Sequence, residues 1–217
     1  MPITYNRIAG QNIERLAALS DGIFGVAMTL LVLDLRLPSP GGIHSERELW
    51  HAIAAGTPQF LMYLMSFLTL GIFWVGQQTQ LNHMTHADRS FTWIHLVFLF
   101  AVTLMPFSTK LLAEFITFRV ALVTYWLNIL LLGVVLYISW TCAVSSGLLK
   151  SEIGEKVMRA IRRRIVVAQI LYACGAALCL INTYWSITFI VAVQLYYAIA
   201  PRLPGSNGGP GEDAVNA

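Results

Sequence analysis

Six apolar runs, each of about the length needed to cross a bilayer, constrain this chain more than any other feature. A helix of about 20 residues, rising 1.5 Å per residue, crosses a hydrocarbon layer of about 30 Å. The runs cover approximately Leu16–Leu37, Trp50–Gln77, Phe91–Leu112, Ala121–Val144, Ile165–Ile181 and Tyr184–Ala200. Only the short turn Asn182-Thr183 separates the last two runs. The sequence therefore predicts an all-α membrane protein with six transmembrane helices in each subunit.

Composition agrees with this class and excludes several others. Hydrophobic residues make up 57% of the chain and charged residues 12%, and the mean hydropathy is +0.66, which lies outside the balance of a soluble domain. The formal charge of +3 is too small to indicate a nucleic-acid partner. The sequence contains no nucleophile elbow, zinc-protease motif or phosphate-binding loop, so we predict no enzyme activity and no cofactor. His83 and His86 have a spacing that metal ligands can use, but solvated or interfacial histidines are the commoner case and no metal site is predicted.

Lys and Arg residues divide unequally between the two sides that the six spans define. One side holds Arg7, Arg15, Arg89, Lys150, Lys156, Arg159, Arg162, Arg163, Arg164 and Arg202. The other side holds Arg36, Arg47, Lys110 and Arg119. Short basic loops are retained in the cytoplasm, so this distribution predicts a multi-pass plasma-membrane protein with both termini cytoplasmic. The run Arg159–Arg164 could also bind lipid head groups or nucleic acid, but its pattern favours a topology anchor.

Span one carries polar residues that its apolar surroundings do not explain. An ion inside the membrane costs a few kcal/mol, which makes Arg15 and Asp21 candidates for a functional role. The long Arg15 side chain can extend to the interface, whereas the short Asp21 side chain cannot. Arg15 lies six residues before Asp21, an offset of about 120° around the helix, so the two side chains do not form an ideal pair. We therefore expect Asp21 to find partners on another helix or another subunit.

The apolar part of span one has a regular spacing of its own. Four residues spaced 4, 3 and 4 apart fall on one narrow stripe: Gly22, Val26, Thr29 and Leu33. Leu37 continues this stripe. Ordinary helix packing explains the same spacing if Gly22 and Gly25 let a neighbouring helix approach and Thr29 bonds its own helix carbonyl. Spacing alone leaves both interpretations open.

Four segments of the chain, taken together, resemble a known family. The segment "RLAALSDG", followed by "IFGVAMTLLVLDLRLP", is similar to the Arg-x-x-x-Phe-Ser-Asp signature that opens the transmembrane protein 175 family of potassium channels, with Leu19 in place of the phenylalanine. The segment "IFWVGQQ" at the end of span two, Asp88-Arg89 before span three and residues 106–109 ("PFST") at its end match the bacterial branch in kind and order.

The resemblance implies a fold, an assembly and a set of site residues. Bacterial members carry one six-span unit and assemble as homotetramers, so residues 1–203 would form the channel domain. Residues 204–217 belong to a segment that is rich in Pro and Gly and has almost nothing to bury, so its composition predicts a disordered cytoplasmic tail. The first helix of each subunit would line a central pore whose narrow points match Val26, Thr29 and Leu33, with a permeant potassium ion near Thr29. The polar residues Arg15, Ser20, Asp21 and Trp74 would form a structural network around that helix.

The chemistry of their side chains predicts different roles for these positions. Rings of Val26 and Leu33 would gate by dewetting, while Thr29 hydroxyls would offer oxygen atoms to a partly dehydrated ion. The chain holds no Thr-Val-Gly-Tyr-Gly filter, so a leak-type, potassium-permeable cation channel of modest selectivity is expected. A small secondary transporter that uses Asp21 as a proton or cation site is the competing interpretation. A non-conducting scaffold is a third.

Overall fold

The computed structural model describes residues 12–35 and 43–199. This part of the chain contains eight α-helices. In chain order they are α1 (Ile13–Val32), α2 (Glu46–Ala55), α3 (Thr57–Asn82), α4 (Arg89–Thr103), α5 (Met105–Glu114), α6 (Arg119–Ser145), α7 (Glu155–Ala177) and α8 (Thr183–Ile199). The predicted tail, residues 204–217, lies outside the described residues.

Five helical segments in the described residues are long and apolar enough to cross a membrane: Ile13–Val32, Thr57–Asn82, Arg89–Glu114, Arg119–Ser145 and Glu155–Leu180. The sixth predicted span corresponds to α8, which is apolar but only 17 residues long. This length is at the lower limit for crossing a bilayer. The all-helical membrane class is confirmed, and the crossing by a sixth helix stays a prediction.

The prediction that span two begins at Trp50 is wrong. Trp50 lies in α2, a separate helix with no buried residue, and its side chain is 71% exposed. The spanning helix α3 begins only at Thr57, after Gly56 has ended α2. Pro58 explains the interruption, because a proline is accepted in the first turn of a helix and disrupts the interior of one.

The apolar run of span three predicted one continuous helix, but the structure divides this span into two helices. The helix breaks at Leu104, between α4 and α5. Pro106 has no amide hydrogen to donate to the carbonyl four residues earlier, and its ring crowds that carbonyl. The two halves together still form one 26-residue segment of sufficient hydropathy.

Helix α7 begins at Glu155, well before the predicted start of span five at Ile165. Its first turns therefore carry the basic run Arg159–Arg164 on a helix. At its other end a 3-10 turn, Leu178–Leu180, leads into α8 through Asn182. The hydropathy pattern marked the apolar part of this helix and could not mark its polar beginning.

The helices alternate in direction, and their connections meet at two opposite ends. At one end the α3–α4 and α6–α7 connections are joined, because the Thr85 amide donates to the Leu148 carbonyl at 2.9 Å and the Lys150 amide donates to the His83 carbonyl at 3.0 Å. Leu16, in the first turn of α1, packs in the same apolar cluster as Leu148. Basic residues of the predicted cytoplasmic side therefore gather at this end.

The opposite end is held by a different set of contacts. The Arg119 guanidinium, at the start of α6, donates to the Leu180 carbonyl at 3.1 Å. The main apolar core lies between the two ends and includes Phe24, Phe98 and Tyr125. Helix α1 packs against α3 and α4 on one side of this core, so its remaining surface faces away from the subunit.

Candidate functional site

Helix α1 has one buried face and one exposed face. The buried residues recur every three or four positions: Leu16, Ser20, Phe24, Ala27 and Leu31. This spacing follows the 3.6-residue turn, so these side chains form a single stripe against α3 and α4. Most of the residues between them are exposed, whereas Ile23 and Met28 pack partly against the core.

The stripe predicted from spacing lies on this exposed face. Val26 is 58% exposed and Leu33 is 74% exposed, and Thr29 lies between them, also exposed. A Cβ atom added to Gly22 or Gly25 would meet nothing within 4 Å. A shallow depression of about 390 Å³ runs along α1 past Gly22 and Val26. Among the described residues, Thr103 at the end of α4 borders this depression, and the stripe residues themselves stay exposed.

The Thr29 hydroxyl bonds its own helix, as the packing interpretation expected. Its oxygen lies 2.9 Å from the Gly25 carbonyl and 2.9 Å from the Val26 carbonyl. The hydroxyl donates its single hydrogen to this pair, so the oxygen keeps lone pairs that can accept a bond from water or coordinate a cation. The helix bond therefore does not prevent contact with an ion.

Asp21 finds its partners on α3, at the same end of α1 as Ser20. The Trp74 indole Nε1–H donates to Asp21 Oδ1 at 2.8 Å, and the Gln78 amide donates to the same oxygen at 2.7 Å. Bonds to a charged acceptor are stronger than neutral ones. The Asp21 carboxylate is thus held by two neutral donors from the neighbouring helix.

The Ser20 hydroxyl of α1 forms contacts with both α3 and α4. Its buried hydroxyl donates to the Leu16 carbonyl at 2.8 Å and accepts from the Gln77 amide on α3 at 3.0 Å. His95 on α4, also buried, places Nε2 at 2.7 Å from the same oxygen. Neither Gln77 nor His95 was predicted as a site residue from the sequence. A histidine within the apolar run "FTWIHLVFLF" was the available signal, because a polar side chain inside a span needs a partner.

Arg15 does not join these polar contacts. It is exposed in the first turn of α1, where its backbone amide donates to the N-cap side chain of Asn12 at 2.9 Å. Among the residues that the structure describes, its guanidinium forms no ion pair. The structure brings Ser20, Asp21 and Trp74 to the contact between α1 and α3 and leaves Arg15 at the rim.

The two histidines considered as metal ligands are engaged separately. His83 Nδ1 lies 2.6 Å from the Thr79 carbonyl, and His86 Nδ1 lies 2.8 Å from the Thr85 hydroxyl. Over the described residues no group of three or more His, Cys, Asp or Glu side chains is arranged to hold a metal ion.

An ion pair lies just beyond the other end of the stripe. Lys110 Nζ on α5 is 3.3 Å from Asp34 Oδ1, which follows the C-terminus of α1. The Lys110 side chain is 53% exposed and the Asp34 side chain 24% exposed. Exposed pairs of this kind contribute little to stability, so this pair mainly sets the local charge beside Leu33.

These features define a class: an all-helical membrane protein whose first helix holds a polar cluster at one end and exposes an apolar stripe along the rest. A family model described as the endosomal/lysosomal potassium channel TMEM175 matches residues 15–106, which include α1, α3 and α4. Over these residues the chain is similar to the TMEM175 family of channels.

Relatives match the chain over different lengths. A protein named as a potassium channel of Streptomyces collinus is 29% identical over 191 residues, which are 84% of this chain and 90% of the relative. The human protein named as the endosomal/lysosomal proton channel TMEM175 is 32% identical over 108 residues, which are 47% of this chain and 21% of the human protein. The crystal structure of a lysosomal potassium-selective channel TMEM175 homologue from Chamaesiphon minutus superposes with a TM-score of 0.76. At 27% identity it covers 87% of this chain and 97% of the homologue.

Proposed function

We propose that this chain is the subunit of a potassium channel in which a homotetramer encloses a central pore lined by α1. The pore-facing residues are Val26, Thr29 and Leu33. The end that carries Arg15, together with both termini, lies in the cytoplasm of a cell bounded by the plasma membrane. Residues 1–203 form the channel domain, and α8 is its sixth membrane crossing.

One observation carries this proposal: α1 has a continuous exposed face that combines glycines, a threonine and large apolar residues. The opposite face of α1 is already buried against α3 and α4, so among the described residues the exposed face is the one available for contact with another subunit. Gly22 and Gly25 permit close approach of another helix. The match of 84% of this chain to a relative named as a potassium channel supports the same assignment.

The chemistry of the stripe suits a leak-type cation pathway. Rings of Val26 and Leu33 make an apolar constriction that opens and closes by wetting and dewetting. Between them, the Thr29 oxygens coordinate a partly dehydrated potassium ion, because each hydroxyl hydrogen is held by the helix. Selectivity then depends on pore width and on the lower dehydration cost of the larger cation.

The polar residues serve as a structural lock in this proposal. Trp74 and Gln78 fix Asp21, and Gln77 and His95 fix Ser20, so the cytoplasmic end of α1 cannot rotate freely. Arg15 lies at the rim of this lock and interacts with the membrane interface. A transporter that loads ions on Asp21 is less favoured, because the relatives carry channel names and two donors already bind Asp21 Oδ1.

Ion flux into proteoliposomes tests the proposal. The purified full chain is reconstituted and measured under potassium, sodium and proton gradients, with Leu33→Ala and Thr29→Ala as pore variants. Val120→Ala serves as the matched control, because Val120 is 75% exposed on α6, far along the chain from the stripe. We expect a potassium current that Leu33→Ala increases, Thr29→Ala makes less selective and Val120→Ala leaves unchanged. Absence of cation current, or equal behaviour of all three variants, contradicts the pore assignment.

A further inference from the structure

A second groove lies away from the α1 stripe, on the far side of α3. It has a volume of about 230 Å³ and is bounded by α3, α6, α7 and α8. Apolar side chains dominate its walls, among them Ile72, Phe73, Leu136, Ile161 and Ile165. The proposed channel pathway does not use this groove.

Small residues keep the groove open along its length. On α7 the lining residues Ala160, Arg164, Ala168 and Tyr172 recur every four positions, so the groove follows one face of the helix for about 18 Å. On α3 the lining residues include Gly76, where an added Cβ would lie 3.6 Å from Leu136 Cδ2. The resulting shape is long and narrow, suited to a flexible hydrocarbon chain and too small for another helix.

The Arg164 side chain lies toward the end of the groove that faces the basic side of the protein. Arg164 lines the groove, is exposed, and holds its guanidinium carbon 5.8 Å from the centre of the Tyr197 ring. Next to it, Arg162 lies 5.8 Å from the Tyr137 ring. Within residues 12–35 and 43–199, neither guanidinium has a carboxylate partner within 4 Å. The basic run therefore offers uncompensated positive charge where the apolar groove reaches the interface.

We propose that this groove binds an anionic phospholipid of the surrounding bilayer. One acyl chain lies along Ala168, Gly76 and Ile72, on the membrane side of Arg164, and the phosphate pairs with the Arg164 guanidinium. Charge complementarity selects the head group, because basic pockets between transmembrane helices on the cytoplasmic side attract anionic lipids. The planar guanidinium is well matched to a phosphate, and the Tyr197 ring holds it in place. Arg164 thus combines the role of a topology anchor with that of a lipid ligand.

Native mass spectrometry of the full chain tests the proposal. Protein reconstituted in an equal mixture of dioleoylphosphatidylglycerol and dioleoylphosphatidylcholine is released into detergent, and the retained lipids are counted. We expect the wild-type protein to retain phosphatidylglycerol preferentially and Arg164→Gln to lower that retention by about fivefold, as expected for one arginine near an anionic surface. Arg163→Gln removes the same charge from an exposed position that does not line the groove, and it should change retention little.

Two further variants separate the groove from the charge. Arg164→Lys keeps the cation and should retain most of the phosphatidylglycerol, whereas Ala168→Leu fills the groove and should reduce retention with the charge intact. Size-exclusion profiles establish that each variant is folded. Equal loss in Arg164→Gln and Arg163→Gln, no preference for phosphatidylglycerol, or full retention by Ala168→Leu overturns the proposal. A groove that holds only water would show no preference for phosphatidylglycerol.

Discussion

The Ser20 hydroxyl is buried where α1, α3 and α4 meet, and it links all three. It donates one bond to the Leu16 carbonyl, and both the Gln77 amide and His95 Nε2 lie within 3.0 Å of its oxygen. A hydroxyl has one donor and two acceptor positions, so these contacts use its full capacity. Removing the oxygen would leave two buried polar side chains without this partner.

Ser20→Ala should therefore destabilise the folded subunit by about 1–2 kcal/mol, between the cost of an unsatisfied buried group in water-soluble proteins and the smaller values measured in membranes. Unfolding in mixed micelles, followed by circular dichroism, measures the loss. The control is Ser145→Ala, because Ser145 is exposed and donates only to the Cys142 carbonyl of its own helix, at 3.1 Å. A similar loss in both variants would show that the Ser20 contacts contribute little.

At the scale of elements, α6 and α7 approach closely at Gly133. A Cβ atom added there would fall 1.9 Å from Gln169 Nε2 and 2.2 Å from Gln169 Cδ. Such distances are far inside van der Waals contact, so the Gln169 side chain would have to leave its place. Glycine at this position thus allows the buried Gln169 amide group to rest against α6.

Gly133→Ala should lower stability by about 1 kcal/mol, the low end of the cost of overpacking, because the atoms that must move belong to the end of the flexible Gln169 side chain. The double variant Gly133→Ala/Gln169→Ala should recover most of that loss, because the displaced side chain is gone. Gly71→Ala is the control, since an added Cβ there meets nothing within 4 Å. Thermal unfolding of the four proteins measures the effect, and failure of the second substitution to rescue the first would contradict this account.

Helix boundaries show how far the sequence predicts elements. Hydropathy marked the membrane segments well, because burial in lipid requires a continuous apolar run. It did not mark the breaks at Gly56 and Leu104, where Pro58 and Pro106 redirect the chain inside or beside an apolar run. It also missed the polar first turns of α7, because helix formation there rests on local propensity and contacts rather than on apolar character.

At the scale of the whole molecule, the exposed face of α1 matters most. In a lipid-facing helix, glycine has no packing advantage, whereas in a helix contact it lets two backbones approach. Gly22 and Gly25 lie on the exposed face, next to the apolar residues of the stripe. The proposed homotetramer gives this face its contacts.

Gly22→Trp should therefore prevent assembly while leaving the subunit folded, because Gly22 is exposed and a Cβ atom added there meets nothing within 4 Å in the subunit. Light scattering of the detergent-solubilised protein should show a fall from the tetrameric to the monomeric mass, with helicity unchanged. Ile170→Trp introduces the same side chain on α7, at a position that is 56% exposed, and it should still assemble. An assembled Gly22→Trp variant would place the subunit contact elsewhere.

The sequence by itself determined the all-helical membrane class, the approximate spans and the face of α1 that carries Val26, Thr29 and Leu33. These features depend on hydropathy and on the 3.6-residue period, both of which are local properties of the chain. The tertiary structure decided which side chains meet the polar end of α1. Gln77 and His95 lie 57 and 75 residues from Ser20 in sequence, and Trp74 lies 53 residues from Asp21. Contacts at such separations follow from how the helices pack, because no local pattern specifies which faces of distant helices are brought together.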